Sequence, residues 1–355
     1  MDKKIRSVLV IGLGKVGSLV ATLLHENGFQ VTGLVRKVRE DYPFPLQTGD
    51  LSDHSALSAR IKECDAVVTC LPYHLNLDVA RAAHAAERHY FDLTEDVTTT
   101  QGVLKLSETA KGVMAPQCGL APGFIGIVGT DMAKRFEKLR SIELRVGALP
   151  RHPRGLLGYA FNWSPEGVVN EYLNDCEVIK DGKRATVTSM EGLETIVIDG
   201  VQLEAFTTSG GLGTMCETYS GKVEKLNYKT IRYPGHCSLM RFFFNELYMR
   251  NKREDAGKIL VNAKPPVKDD VVYVHAAVEG WRKGNLTRDE FVRSYFPKEI
   301  AGKTWKAISW TTAASACAVV EMVSRGEFPD RGFLKQETIS LDTFFNTVSG
   351  SHYIK

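Results

Sequence analysis

Two groups of residues have the types and spacing for chemistry. Gly12, Leu13, Gly14, Lys15, Val16 and Gly17 form Gly-x-Gly-x-x-Gly near the N-terminus. In such a loop the first two glycines let the backbone turn and approach a pyrophosphate, and the third lets a helix pack closely on a strand. The helix N-terminus then offers N–H groups to the phosphates. Further along, Arg232 ends a strand-like run, and Tyr233, Pro234, Gly235 and His236 follow it. A guanidinium held beside such a turn is either a charge on the outer sheet face or a fork with two parallel N–H donors for a carboxylate.

The glycine loop has the setting it needs. Arg6–Ile11 is a short β-branched run, a helical pattern covers Val16–Glu26, Gly28 closes it, and 29–35 reads as a second strand. Strands at 65–70, 89–93 and 112–115 alternate with helical stretches such as 77–88. This alternation predicts an α/β fold, an N-terminal Rossmann domain with a parallel sheet. Ligands of such sheets bind beyond the carboxyl ends of the strands. That rule selects the glycine loop, Arg36, Asp50 and Leu51, Cys70 to Tyr73, and Asp92 to Thr94.

After Gln117–Gly123 the pattern changes to strands joined by glycine-rich turns: 141–149, 158–163, 185–190, 194–199, 203–208, 225–233 and 271–280. This predicts an α+β substrate domain built on an antiparallel sheet. The expected boundaries are 1–118 for the dinucleotide domain and 119–304 for the substrate and dimerisation domain, followed by an amphipathic helix over about 305–325. The cleft is expected between the two domains.

The end of the second strand chooses the cofactor. An acid there would bond the ribose of NAD, whereas Arg36, Lys37 and Arg39 stand in its place. A cation there pairs with a 2′-phosphate, so NADP is expected ahead of NAD.

Asp92, at a strand end, is a candidate to accept from a substrate ammonium group or act as base, or else an N-cap. Tyr73 and His74 follow Pro72 at another strand end. His74 is a candidate base, or a solvated loop histidine. Trp163 is either an apolar pocket wall or core. His236 either contacts substrate or serves in capping and packing.

Composition narrows the class. Among 355 residues, 45 basic and 42 acidic ones are interleaved, which gives no sign of a nucleic-acid scaffold. Seven cysteines form no Cys-x-x-Cys pair, and His84 and His89 lack metal-ligand spacing, so neither a disulfide framework nor a metal site is expected. A reducing cytoplasm is the expected location. No apolar stretch is read as long enough to span a bilayer, and the N-terminal apolar run is broken by glycines, so no signal peptide is read.

The stretches at 8–17, 49–53, 70–83, 89–96, 117–124, 162–172, 204–215 and 228–236 resemble, in order, those of the saccharopine dehydrogenase family, which includes lysine 6-dehydrogenases and carboxynorspermidine dehydrogenases. The resemblance implies hydride transfer from an amine-bearing carbon to a nicotinamide, an amino-acid substrate, a homodimer, and a terminal segment, about 305–355, that returns to the Rossmann sheet. It also implies that Cys118 lies near the substrate, although a neutral cysteine is also an ordinary small buried residue. Saccharopine oxidation is the leading expectation, with lysine 6-oxidation, carboxynorspermidine-type imine reduction and a non-catalytic NADP sensor as alternatives. Saccharopine carries three carboxylates and so calls for more cations than Arg232. Arg145, Arg151 and Arg154 are further candidates.

Overall fold

The computed structural model describes residues 4–38 and 40–354; Arg39 lies outside them. Its contacts divide into two compact units. The first comprises Met1–Phe124, Ala301–Lys303 and Ser309–Lys355, and the second Ile125–Ile300 and Thr304–Ile308.

In the first unit, β1 (Ser7–Ile11) is apolar on both faces because both faces of a parallel sheet are buried, and strands pair along both of its edges. It runs parallel to β2 (Gln30–Val35), with Val10 opposite Gly33, and to β4 (Ala66–Thr69), with Val10 opposite Val68. Beyond β2 lies β3 (Leu46–Thr48), and beyond β4 lie β5 (His89–Asp92) and β6 (Val113–Ala115). The seventh strand, Gly332–Phe333, arrives from the far end of the chain and pairs parallel with β6. The strand order reverses at β1, which marks the switch point where parallel sheets open a ligand crevice. Helices α1 (Gly17–Glu26), α2 (His54–Lys62), α3 (Tyr73–Ala85) and α4 (Val97–Ser107) connect the strands. Asp53 and Asp96 cap α2 and α4 through their side chains.

The first unit extends past the expected boundary at 118. Phe124 stacks on Tyr353 with ring centroids 4.0 Å apart, and Cys118 N–H bonds Asp92 O.

The helix Ala307–Ser324 corrects two expectations. It is long and apolar enough to cross a membrane by length and composition, yet 94% of it is buried within the protein. It is also not amphipathic. Its charged residue, Glu321, is itself buried, accepting from Asn27, Val348 N and Ser349 N. A helix apolar all round belongs inside a core.

The second unit carries the expected antiparallel sheet, made mixed by one parallel pair. Helix α5 (Phe124–Ala133) leads into β7 (Lys138–Pro150), a long strand. After α6 (Pro165–Leu173) come β8 (Cys176–Lys180), β9 (Lys183–Val187), β10 (Glu194–Ile198), β11 (Val201–Thr207), β12 (Val223–Arg232), β13 (Asp270–Arg282) and β14 (Asn285–Tyr295). The order is β10-β11-β12-β7-β13-β14, with the β8–β9 hairpin attached to β12. The β12–β7 pair is parallel, Lys229 opposite Arg145, while its neighbours are antiparallel.

The stretch 158–163 forms no strand. Tyr159, Ala160, Phe161 and Asn162 are buried without a ladder, and Phe161 N–H bonds Lys264 O. Tyr159 and Phe161 instead join Tyr172, Phe206 and Phe244 in an aromatic core.

Candidate functional site

The glycine loop has the shape a dinucleotide needs. Gly12 sits at φ +89°, where a side chain is strained, and its absent Cβ would meet Leu71 Cδ2 at 2.9 Å. A Cβ on Gly17 would lie 1.9 Å from Gly12 O and 2.9 Å from the Cβ of Cys70. Gly14 is the opposite case, since a Cβ there meets nothing within 4 Å. The loop is thus closed against Cys70 and Leu71 below and open above Gly14. Val16, the N-cap of α1, gives no side-chain cap, which leaves the helix N-terminus for an anion. Leu13 packs on Gly33, and Lys15 is exposed.

At the end of β2, Arg36 and Lys37 are exposed. Asp50 accepts from Ser52 N–H, which holds its carboxyl below the ordinary value, and the charge of Arg36 adds to this. Leu51 is half-buried and packs at the margin of this unit's core. Pro72 stands at the N-cap of α3, so Tyr73 and His74 form the helix's first turn instead of a loop. His74 is exposed, with its ring edge-on to Tyr73 at 5.7 Å.

Asp92 lies where the sheet rule puts it, but its carboxylate is spent inside the protein. Oδ2 accepts from Tyr90 OH at 2.7 Å, and Oδ1 accepts from Thr94 N–H at 2.8 Å and Gln117 N–H at 3.0 Å. Burial pushes its pKa up to about 6 despite these donors. The expected N-cap role falls to Asp96. Asp92 ties together the loops after β5 and β6. Cys118 is also sealed: its thiol donates to Ala115 O, and Gln336 Nε2 donates to its sulfur at 3.3 Å. Burial drives that thiol's pKa well up, which leaves it a neutral neighbour. Glu95, not singled out by the sequence, follows Asp92 by three residues. Burial, with the charges of Asp96 and Asp92, pushes its pKa up to about 7.

In the second unit Arg232 is 2% exposed. Its Nε donates to Tyr172 OH at 2.7 Å, and Nη1 donates to Thr230 Oγ1 at 2.5 Å and Ile231 O at 2.8 Å. The guanidinium carbon lies 4.7 Å from the Tyr159 ring centroid and 5.6 Å from that of Tyr172. No carboxylate forms an ion pair with Arg232 among the described residues. Nη2 makes no hydrogen bond among them, and it is not among the sealed, unpartnered atoms. The expected two-nitrogen fork is therefore corrected, because only the Nη2 end is left for a ligand.

His236 is not at the surface of this site. Its ring is 1% exposed, with Nδ1 2.9 Å from Leu157 O and Nε2 2.9 Å from Tyr172 OH. Trp163 is half-buried against the aromatic core and donates to Tyr159 OH at 3.3 Å. The remaining arginines split sharply. Arg145 is buried but paired with Glu194, while Arg151 and Arg154 are exposed. Among the described residues no group of histidine, cysteine and acid side chains could hold a metal, and all seven cysteines are free.

Two family descriptions cover this architecture. Residues 8–115 match the saccharopine dehydrogenase NADP binding domain, and residues 119–349 match the saccharopine dehydrogenase C-terminal domain. The chain belongs to the saccharopine dehydrogenase family. It is 26% identical over 212 residues to an NADP(+)-dependent, L-glutamate-forming saccharopine dehydrogenase of Pyricularia oryzae, covering 54% of this chain and 45% of that protein. It is 24% identical over 260 residues to the mitochondrial alpha-aminoadipic semialdehyde synthase of Mus musculus, covering 67% of this chain and 28% of that protein. The chain thus matches about half the length, or less, of these relatives. In fold it is similar to apo saccharopine dehydrogenase (L-Glu forming) from Saccharomyces cerevisiae, with TM-score 0.73, 16% identity, and coverage of 96% of this chain and 95% of that one.

The family's cofactor domain is the NADP-binding one, and the first unit fits it. Gly12, Gly14 and Gly17 leave room for the pyrophosphate, and Arg36 and Lys37 stand exposed where a 2′-phosphate would lie.

Proposed function

We propose that this chain is an NADP-dependent oxidoreductase of the saccharopine dehydrogenase type. It oxidises a carbon–nitrogen bond of an amino-acid substrate, or reduces the corresponding imine. The coenzyme supplies the hydride acceptor. The observation that carries the substrate class is Arg232: a buried guanidinium that feels the charge of Glu171 but makes no ion pair among the described residues, and has one unbonded amino group. An unpaired buried charge costs several kcal/mol. Tyr159 and Tyr172 offset part of that through their ring faces. A substrate carboxylate on Nη2 supplies the direct ion pair that Arg232 lacks, through a charge-assisted hydrogen bond.

Saccharopine is the leading substrate, as in the named relatives. A second reading, oxidation of lysine at its 6-amino carbon, has a specific observation in its favour. Of the buried cations among the described residues, Arg145, Lys229 and Arg232, only Arg232 makes no ion pair with a carboxylate. One such cation suits a substrate with one carboxylate.

The test is nicotinamide absorbance with NADP⁺ or NAD⁺ and saccharopine or lysine in parallel cuvettes. Reduction of NADP⁺ by saccharopine alone supports the leading reading, and turnover of lysine alone supports the second. Silence in all four contradicts both.

A further inference from the structure

The hydrogen-bond directions behind Arg232 are fixed by chemistry. Leu157 O can only accept, so the ring nitrogen facing it, Nδ1 of His236, carries the proton. Arg232 Nε can only donate, so Tyr172 OH accepts from it and turns its own hydrogen elsewhere. The group that receives that hydrogen is Nε2 of His236, whose lone pair is free in the Nδ1–H tautomer. The chain therefore runs one way, from Arg232 through Tyr172 to His236, with Leu157 O accepting at its far end.

The surroundings hold this tautomer. Phe206 stacks on the His236 ring at 6.2 Å, and the Tyr159 and Tyr172 rings meet it edge-on at 5.2 and 5.8 Å. The charged groups facing the ring include Arg232, and burial together with that charge keeps the imidazole neutral. Thr230 closes the other flank. Its hydroxyl accepts from Arg232 Nη1 and lies 3.4 Å from Val146 O, to which it donates.

We propose that Tyr172 and His236 are positioning residues that lock the Arg232 guanidinium in one orientation, leaving Nη2 as the single donor group for a substrate carboxylate. This rests on reading Arg232 as the carboxylate anchor. It adds a specificity rule: the position takes one carboxylate end-on and does not support a two-nitrogen clamp. Neither positioning residue touches substrate.

The test measures KM and kcat for saccharopine with NADP⁺ (lysine replacing it if lysine is the substrate turned over) in five proteins. These are wild type, Tyr172→Phe, His236→Leu, His236→Gln and Arg232→Met. Tyr172→Phe keeps the ring packing and removes only the hydroxyl. Glutamine can accept from Tyr172 and donate to Leu157 O, as the histidine does, and leucine can do neither. The expected result is a KM raised by about 10-fold in Tyr172→Phe and His236→Leu, with kcat within about two-fold and KM largely restored in His236→Gln. A larger rise is expected in Arg232→Met. If Arg232→Met raises KM but Tyr172→Phe and His236→Leu do not, the relay is wrong and the anchor stands. An unchanged KM in Arg232→Met overturns the anchor and the relay with it, as does the absence of turnover of either substrate by wild type.

Discussion

Arg145 and Arg232 are both 2% exposed, and both sit on the central strands of one sheet. They differ in what surrounds the charge. Arg145 Nε donates to Glu194 at 2.5 Å, Nη1 donates to Asn227 and Leu144 O, and Lys229 reaches the other oxygen of the same glutamate. Its charge is answered within the protein. Arg232 has hydroxyls, a carbonyl and ring faces; the charge of the buried Glu171 acts on it, but no carboxylate forms an ion pair with it among the described residues. Alternation along β12 separates the two sets, because Lys229 and Arg232 lie an odd number of residues apart and so point to opposite faces. A buried cation that a protein has already neutralised is structural. One left without an ion pair is poised for a ligand.

The largest effect that would sharpen this contrast is acid sensitivity at the Arg232 side. A second positive charge is not tolerated there, and burial and Arg232 lower the His236 pKa from 6.5 to about 3. The folded state thus binds fewer protons than the unfolded one between these values. The stabilisation is fully present above pH 6.5 and is lost as pH falls toward 3. By linkage this amounts to on the order of 5 kcal/mol over the window. The melting temperature of His236→Gln, followed from pH 7 to 4, is expected to fall less steeply than that of wild type. Parallel curves would remove the electrostatic distinction.

Next in size is Glu194→Gln, which leaves Arg145 and Lys229 facing each other without an anion. A loss of about 3 kcal/mol is expected in chemical denaturation, moderated because Glu194 is partly solvated. Unchanged stability would mean that the Arg145 side is no better compensated than the Arg232 side. Smaller again is Lys229→Met. Arg145 still satisfies Glu194, so a cost of about 1 kcal/mol is expected by the same measurement. A cost equal to that of Glu194→Gln would show that Lys229, and not Arg145, balances the glutamate.

What the sequence made legible was local. The run from β1 through the glycine loop into α1 could be read directly because strand, turn and helix start are adjacent in the chain. The cations after β2 were legible for the same reason. Distant partners were not. Asp92 looked free because one of its donors, Gln117, is 25 residues away. For His236 the sequence left substrate contact and packing open, and the structure gives packing, because Tyr172, 64 residues earlier, is brought to it by folding. Arg232 was found through its turn, but its lack of an ion pair and its two spent nitrogens emerge only in three dimensions. Tyr172 lay within a stretch quoted for family resemblance, yet nothing local marked it as the partner of an arginine. Residues 158–163 had the composition of a strand, and no partner strand was there to pair with them.

The most direct test of the central claim sets kcat/KM beside melting temperature for Arg232→Met. Reduction of NADP⁺ by saccharopine, or by lysine if that is the substrate turned over, should fall by about 100-fold in kcat/KM, the loss of a charge-assisted hydrogen bond to a buried cation. The melting temperature should fall by less than that of Glu194→Gln, because no ion pair is broken, although Tyr172, Thr230 and Ile231 lose a donor and Glu171 loses a nearby positive charge. A variant that keeps its kcat/KM, or that loses stability as a paired arginine would, contradicts the account.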